Sequence, residues 1–236
     1  MIKKTTQIIA LIPAKKNSQD LKNKNLKKLN NLSLFELAIL GAKKSKFINK
    51  IYLSSDSDKI LNKGKKYQIE LIRRKKSLST NSASANSVIF DFIKNYLKND
   101  QENFIIVYLQ PTSPFRNTNH IDGAINYFIK KKFRLLLSVA ENKNFFKSLY
   151  KKNNTLFPYF NDKLVTKNRQ NLKKIFVPNG AIYIFYAVDF LKKKKIPVYG
   201  SDYFLMNSYE SIDINYKEDL KVANSLEKKF FIYNKN

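Results

Sequence analysis

Apolar residues in this chain fall into short dense runs, separated by longer segments in which they recur every three or four positions. Gln7–Ile12, Lys50–Ser55, Ile69–Arg73, Phe104–Gln110 and Leu135–Ala140 are such runs, and their length and β-branched content predict buried strands. Ser33–Ser45, Ser57–Tyr67, Ser84–Lys98 and Asn119–Lys131 carry apolar residues at helical spacing, most behind a Ser or Asn suited to an N-cap. Alternation of this kind predicts an α/β fold with a mainly parallel, doubly wound sheet. Ligands of such sheets lie beyond the carboxyl ends of the strands, so the loops after Ile12, Ser55, Arg73 and Gln110 are expected to share one rim. The periodicity is lost between Asn142 and Pro178, which predicts an extended excursion, a dimerisation insertion at about 142–178 within a single domain spanning 1–236. It returns with a strand at Gly180–Tyr186 and helices at Val188–Lys194 and Tyr216–Lys229.

Composition narrows the chemistry. The 236 residues include no cysteine and one histidine, His120, which excludes disulfides, thiolate metal sites and a cysteine nucleophile and leaves no multi-histidine centre. His120 follows Thr118 and Asn119 near a helix start and reads as structural. No apolar run reaches membrane-spanning length and no charged-then-apolar leader opens the chain, so a soluble, cytoplasmic protein with no membrane partner is expected. The formal charge of +27 would attract polyanions, yet all but five of the 45 cations are lysines spread along the whole chain. They read as a solvated exterior rather than a dedicated nucleic-acid surface. Against that background the arginines Arg73, Arg74, Arg116, Arg134 and Arg169 act as markers, because a planar bidentate fork suits phosphate or carboxylate.

The loop "PAKKNSQDLKNKN", Pro13–Asn25, follows the first predicted strand, where phosphate loops lie, but contains neither G-x-G-x-x-G nor G-x-x-x-x-G-K-[ST]. A phosphate cradle without glycine needs backbone N–H groups turned inward and side chains such as Lys, Ser and Asn. Asn17 and Asn25 are the expected positive-φ residues. Further along, "QPTSP" at Gln110–Pro114 sets an amide and hydroxyls directly after a strand, stiffened by two prolines. Asp213 and Asn215, two apart in an extended segment, should project to the same side.

The string "IPAKKNS" with Lys24–Asn25 resembles the opening signature I-P-A-R-x-x-S-K of the acylneuraminate cytidylyltransferase family. "RRKKSLSTNSAS" (Arg73–Ser84), "LQPTSPFR" (Leu109–Arg116), "RQNLKKIFVPNGAIYI" (Arg169–Ile184) and "SIDIN" (Ser211–Asn215) extend the resemblance in order and spacing. It implies a Rossmann-like nucleotidyltransferase that couples CTP to a nonulosonic acid, releasing pyrophosphate, with Mg²⁺ as cofactor and a homodimer as the assembly. Carried over residue by residue, Lys15 and Asp213 would be catalytic. Lys15, Asn17, Ser18, Lys24, Asn25, Arg74, Asn81 and Ser84 would bind the nucleotide. Gln110, Thr112, Ser113, Arg169, Gln170 and Asn179 would address the sugar acid, and Asp213 with Asn215 would hold the metal.

Three positions depart from the family pattern. Lys15 stands where Arg is usual, Gln19 where Lys is usual, and Asn215 where a second metal-binding Asp is common. Cytidylyltransferases for pseudaminate or ketodeoxyoctulosonate are the nearest alternatives, disfavoured by the pairing of "QPTSP" with "RQ…NGAIYI". A basic nucleic-acid-binding protein would explain the charge but not the order of the motifs.

Overall fold

A computed structural model describes residues 6–97, 104–196, 198 and 200–232. In chain order the elements are β1 (Gln7–Pro13), β2 (Lys28–Leu29), β3 (Leu32–Ser33), α1 (Leu34–Lys43), β4 (Lys50–Ser55), α2 (Asp58–Gly64), β5 (Glu70–Arg73), α3 (Ala85–Tyr96) and β6 (Phe104–Tyr108). They continue with α4 (Thr118–Lys131), β7 (Leu135–Glu141), β8 (Leu149–Lys152), β9 (Thr155–Pro158), α5 (Asp162–Thr166), β10 (Phe176–Tyr186), α6 (Ala187–Lys193), β11 (Asp202–Leu205) and α7 (Lys217–Ile232). The predicted end of a helix at Lys98 lies outside the described residues.

Seven strands form one sheet in the order β11-β7-β10-β6-β1-β4-β5. β10 runs antiparallel to both neighbours and the remaining pairs are parallel. Strand alternation divides the core between the two faces. Ile8, Ala10 and Ile12 of β1 pack with α1, α2 and α4 through Phe35, Ile39, Ile60, Ile125 and Phe128. Ile9 and Leu11 point the other way, to Ile89, Phe92 and Ile93 of α3 and Phe190 of α6. Both faces are therefore helix-covered, as the near-continuous apolar runs require. A third cluster joins Leu21, Leu29, Leu34, Phe115 and Ile214 to Ala223 of α7, anchoring the last helix beside the rim.

Helix starts follow the caps. Ser33 and Glu36 form a capping box on α1, Ser57 Oγ accepts from Ile60 N, Ser84 Oγ from Ser87 N, and Asn117 Oδ1 from His120 N. The segment expected as a single excursion is a separate β8–β9 hairpin followed by α5, and its end comes earlier than predicted, because β10 is already paired with β7 from Phe176. β11 was not predicted: it is an edge strand of only four residues with alternating exposure, too short to show a period.

Candidate active site

The rim loops close without glycine. Asn25, buried, donates from Nδ2 to the Lys15 carbonyl at 2.8 Å, and Lys16 N donates to Asp56 Oδ1 at 2.7 Å, tying the Pro13–Asn25 loop to itself and to the end of β4. The residue with positive φ in this loop is Asn23 (φ 55), correcting the expectation for Asn17 and Asn25. Asn25 instead spends its amide on the loop's own backbone, which is why it sits inside a tight 3-10 turn. Arg74 follows β5 and is buried. Its Nε and Nη2 donate to Ser54 Oγ at 3.1 Å and Ser54 O at 2.9 Å, and burial lowers its pKa, partly offset by Tyr108 and Asp56.

The "QPTSP" loop is fixed from below. Arg116, buried, donates from Nη1 to Gln110 O at 2.8 Å and to Ala181 O at 2.9 Å, clamping β6 to β10. Ile214 N donates to Thr112 O at 2.8 Å, which brings Asp213 against the same loop. Opposite, the register of β10 on β7 shifts between Pro178 and Tyr183. Ser138 and Asn179 fill that bulge. Ser138 Oγ donates to Asn179 Oδ1 at 2.6 Å, and Asn179 Nδ2 reaches Ser211 Oγ at 2.8 Å, two residues before Asp213. Gly180 has φ +75, and a Cβ there would lie 2.8 Å from Gln110 Oε1, so glycine lets the glutamine lie over the bulge.

Two pockets result. The smaller, about 290 Å³, is lined by Lys15, Ser18, Gln19, Lys24, Asn25, Arg74 and Ser84, floored by Leu78, Val88 and Tyr108. The larger, about 970 Å³, is lined by Glu141, Lys143, Arg169, Asn179, Tyr183 and the Met206–Ser208 turn. Gln110 and Asp213 line both, so the pockets meet at these two side chains. The smaller pocket concentrates three cations over an apolar floor, a surface suited to a phosphorylated ligand with a flat ring. The larger offers hydroxyls, amides and a guanidinium, which suit a hydroxylated acid.

Most of the predicted residues line one pocket or the other, but not all. Thr112 lines the smaller pocket rather than the larger. Asn17, Asn81 and Gln170 are exposed and outside both linings, and Ser113 is buried beneath the loop with its Oγ unpartnered among the described residues. Of the marker arginines, Arg74 and Arg169 line pockets, Arg116 is the clamp, and Arg73 and Arg134 form ion pairs with Asp58 and Asp189. His120 is structural as expected: Nδ1 accepts from Asn117 N at 3.2 Å, and Nε2 lies 3.2 Å from Glu210. Burial lowers its pKa against the opposing pull of Glu210. Sequence reasoning assigned no role to Tyr183 and Ser211, although both fall inside quoted motifs, and missed Glu141, Met206 and Asn207, which the pairing of β7 with β10 and β11 brings to the larger pocket.

Asp213 and Asn215 converge, as their spacing predicts. Asn215 Nδ2 donates to Asp213 Oδ2 at 2.7 Å, but its Oδ1, expected at the metal, accepts from Lys24 Nζ at 2.9 Å. Burial lowers the Lys24 pKa while Asp213 raises it. Asp213 Oδ1 is buried with no hydrogen-bond partner among the described residues. No group of three or more His, Asp or Glu that could hold a metal occurs among the described residues.

The layered sheet and its bipartite rim define a Rossmann-like nucleotidyltransferase fold. A family model described as cytidylyltransferase matches residues 9–236, and the chain belongs to that family. It is 30% identical over 227 residues to an N-acylneuraminate cytidylyltransferase of Escherichia coli, covering 95% of this chain and 53% of that protein. It is 26% identical to a CMP-N,N'-diacetyllegionaminic acid synthase of Campylobacter jejuni, covering 93% of this chain and 94% of that one. The chain thus spans about half the length of the first relative and nearly all of the second. In fold it is similar to a CMP:2-keto-3-deoxy-manno-octonic acid synthetase solved with CTP, at TM-score 0.69 and 10% identity, over 95% of this chain and 99% of that one. A 4-diphosphocytidyl-2C-methyl-D-erythritol synthase from Anaerococcus prevotii is similar at TM-score 0.65 and 15% identity, over 93% and 95%.

Proposed function

We propose that this chain transfers the cytidylyl group of CTP to an N-acylneuraminate-type nonulosonic acid. The anomeric hydroxyl oxygen forms a bond to the α-phosphorus, the bond to the leaving pyrophosphate breaks, and the hydroxyl proton passes to solvent. The observation that carries this reading is the meeting of a cation-lined pocket and a guanidinium-bearing pocket at Gln110 and Asp213, in a chain of the cytidylyltransferase family. The names of the relatives supply the substrate class.

Lys15, Lys24 and Arg74 bind and orient the triphosphate, Ser84 and the Leu78–Val88 floor seat the nucleoside, and Arg169 takes the sugar carboxylate. The buried, unpartnered Oδ1 of Asp213 fits a hard cation. Mg²⁺ would be held by this one carboxylate together with substrate phosphates and water. Bound there, the ion neutralises charge on the triphosphate. Gln110, held over the bulge by Gly180, orients the acid beside that carboxylate.

The assembly belongs to the same reading: a homodimer in the cytoplasm, joined through the β8–β9 excursion. Leu156 (63% exposed) and Tyr159 (66%), with Tyr150, Phe157 and Phe160, form an apolar surface of the kind a partner covers. Sedimentation should give twice the chain mass, and charged substitutions at Leu156 and Tyr159 should give monomers. No helix among the described residues is long and apolar enough to cross a membrane.

A panel of nonulosonic acids with CTP and Mg²⁺, scored for pyrophosphate release and CMP-sugar, tests the reaction. Turnover with an N-acylated acid, and with CTP over ATP and GTP, is expected. A folded protein inert toward every acid would overturn the reading.

A further inference from the structure

We propose that Asn215 is a positioning residue that spans Lys24 and Asp213 across the mouth shared by the two pockets, and that it is not a second oxygen ligand of the metal. The proposal rests on the cytidylyltransfer reading above. Its amide is used at both ends: Oδ1 accepts from Lys24 Nζ at 2.9 Å, and Nδ2 donates to Asp213 Oδ2 at 2.7 Å. The orientation is dictated by the partners, since an ammonium can only donate and a carboxylate can only accept. Rotating the amide by half a turn would set two donors and two acceptors face to face. The backbone is fixed as well, because Asn215 N and Tyr216 N both donate to Asp219 Oδ2 at 2.8 Å, capping the start of α7.

An amide links a cation to an anion here because one group carries both the acceptor for Lys24 and the donor for Asp213. A carboxylate at position 215 would accept from Lys24 but repel Asp213, and would pull the ammonium away from the triphosphate. With asparagine, Lys24 stays on the wall of the smaller pocket, Asp213 Oδ2 is occupied, and Oδ1 is left free. The residue that departs from the relatives' usual aspartate thus has a role of its own: it keeps a phosphate-binding cation and the metal-facing carboxylate in fixed register.

CTP titrations of the full chain in excess chelator separate the two roles, because no metal ligation contributes there. Asn215→Ala and Asn215→Asp are each expected to weaken metal-free CTP binding about 3- to 10-fold, the loss of one hydrogen bond's orienting effect. Lys24→Met should weaken it further, and Asn215→Ala should then add nothing in the Lys24→Met background, since the bridge acts through that lysine. Circular dichroism checks that the variants are folded. Metal-free affinity unchanged by Asn215→Ala, or full additivity with Lys24→Met, overturns the bridge. Absence of CTP binding by the folded parent, with and without Mg²⁺, overturns the cytidylyltransfer reading on which the proposal rests.

Discussion

The two pockets are built in different ways. The smaller lies at the carboxyl ends of β1, β4, β5 and β6, four parallel strands whose order reverses on either side of β1, and its cations are held by short-range bonds: Arg74 is buried on Ser54 of β4, and Asn25 holds the Lys15 carbonyl within the loop. The larger depends on an irregularity, the bulge of β10, and on a relay from Ser138 through Asn179 to Ser211, while its guanidinium, Arg169, stands exposed on a 3-10 turn. In the proposed reading the nucleotide is met by regular structure and the sugar acid by the segment easiest to reshape. The two meet where each contributes little more than one side chain, at Gln110 and Asp213.

Breaking the junction should have the largest effect. Asp213→Asn is expected to lower the rate of pyrophosphate release by about 100-fold or more, the scale of a lost charged group at a phosphoryl-transfer centre. Thermal unfolding should show little loss of stability, because the asparagine oxygen can still accept from Asn215 Nδ2 and the other carboxylate oxygen, Oδ1, has no hydrogen bond to lose among the described residues. A rate within a few-fold of the parent would remove Asp213 from the centre.

Gly180→Ala should follow. It sets a Cβ 2.8 Å from Gln110 Oε1 at φ +75, so a cost of about 1–3 kcal/mol in stability is expected. The displaced glutamine should raise KM for the acid more than KM for CTP. Equal KM changes would mean that the bulge does not serve one pocket in particular.

Glu36, which lines neither pocket, offers a control. Burial alone would raise its pKa, but hydrogen bonds from Lys66, Ser33 and Tyr67 outweigh that and bring it down to about 2. Because the folded value is depressed, the stability it contributes is present above the unfolded value near 4.5 and is lost as pH falls toward 2. Glu36→Gln should cost about 1–3 kcal/mol at neutral pH and flatten acid unfolding across that window, with both KM values unchanged. Smaller still is the effect expected of the lysine-rich exterior: nucleic-acid binding should be weak, indifferent to sequence and lost steeply with salt, as fluorescence anisotropy would read.

The same contrast governs what could be read from the chain. The parallel half was legible because each strand is a dense apolar run and each helix begins at a Ser or Asn cap, and the rim loops inherit their place from that order. The β8–β9 hairpin was also written locally, though not in the usual letters. Its turn is Asn153–Asn154, with φ 47 and 60, and Asn30–Asn31 does the same between β2 and β3. In a chain with five glycines, asparagine takes five of the eight non-glycine left-handed positions among the described residues, with Gln68, Lys132 and Lys194 holding the others. The larger pocket was legible only in part: motifs marked Gln110, Arg169 and Asn179, and "SIDIN" contains Ser211 without marking it, while Glu141 is brought in by the irregular pairing of β7 with β10, which leaves no local pattern. The partners Asn179 and Ser211 are 32 residues apart.

The central claim is that the site has two separable halves joined at Gln110 and Asp213, and steady-state kinetics with each substrate varied in turn tests it most directly. Lys15→Ala removes a cation from the smaller pocket, and Arg169→Ala removes the guanidinium of the larger. Loss of one charge-assisted hydrogen bond corresponds to about 10- to 100-fold in apparent affinity. The account predicts a crossed pattern, with Lys15→Ala raising KM for CTP by that order and leaving KM for the acid near the parent value, and Arg169→Ala doing the reverse. Both variants raising both constants together, or the two effects exchanged, would contradict it.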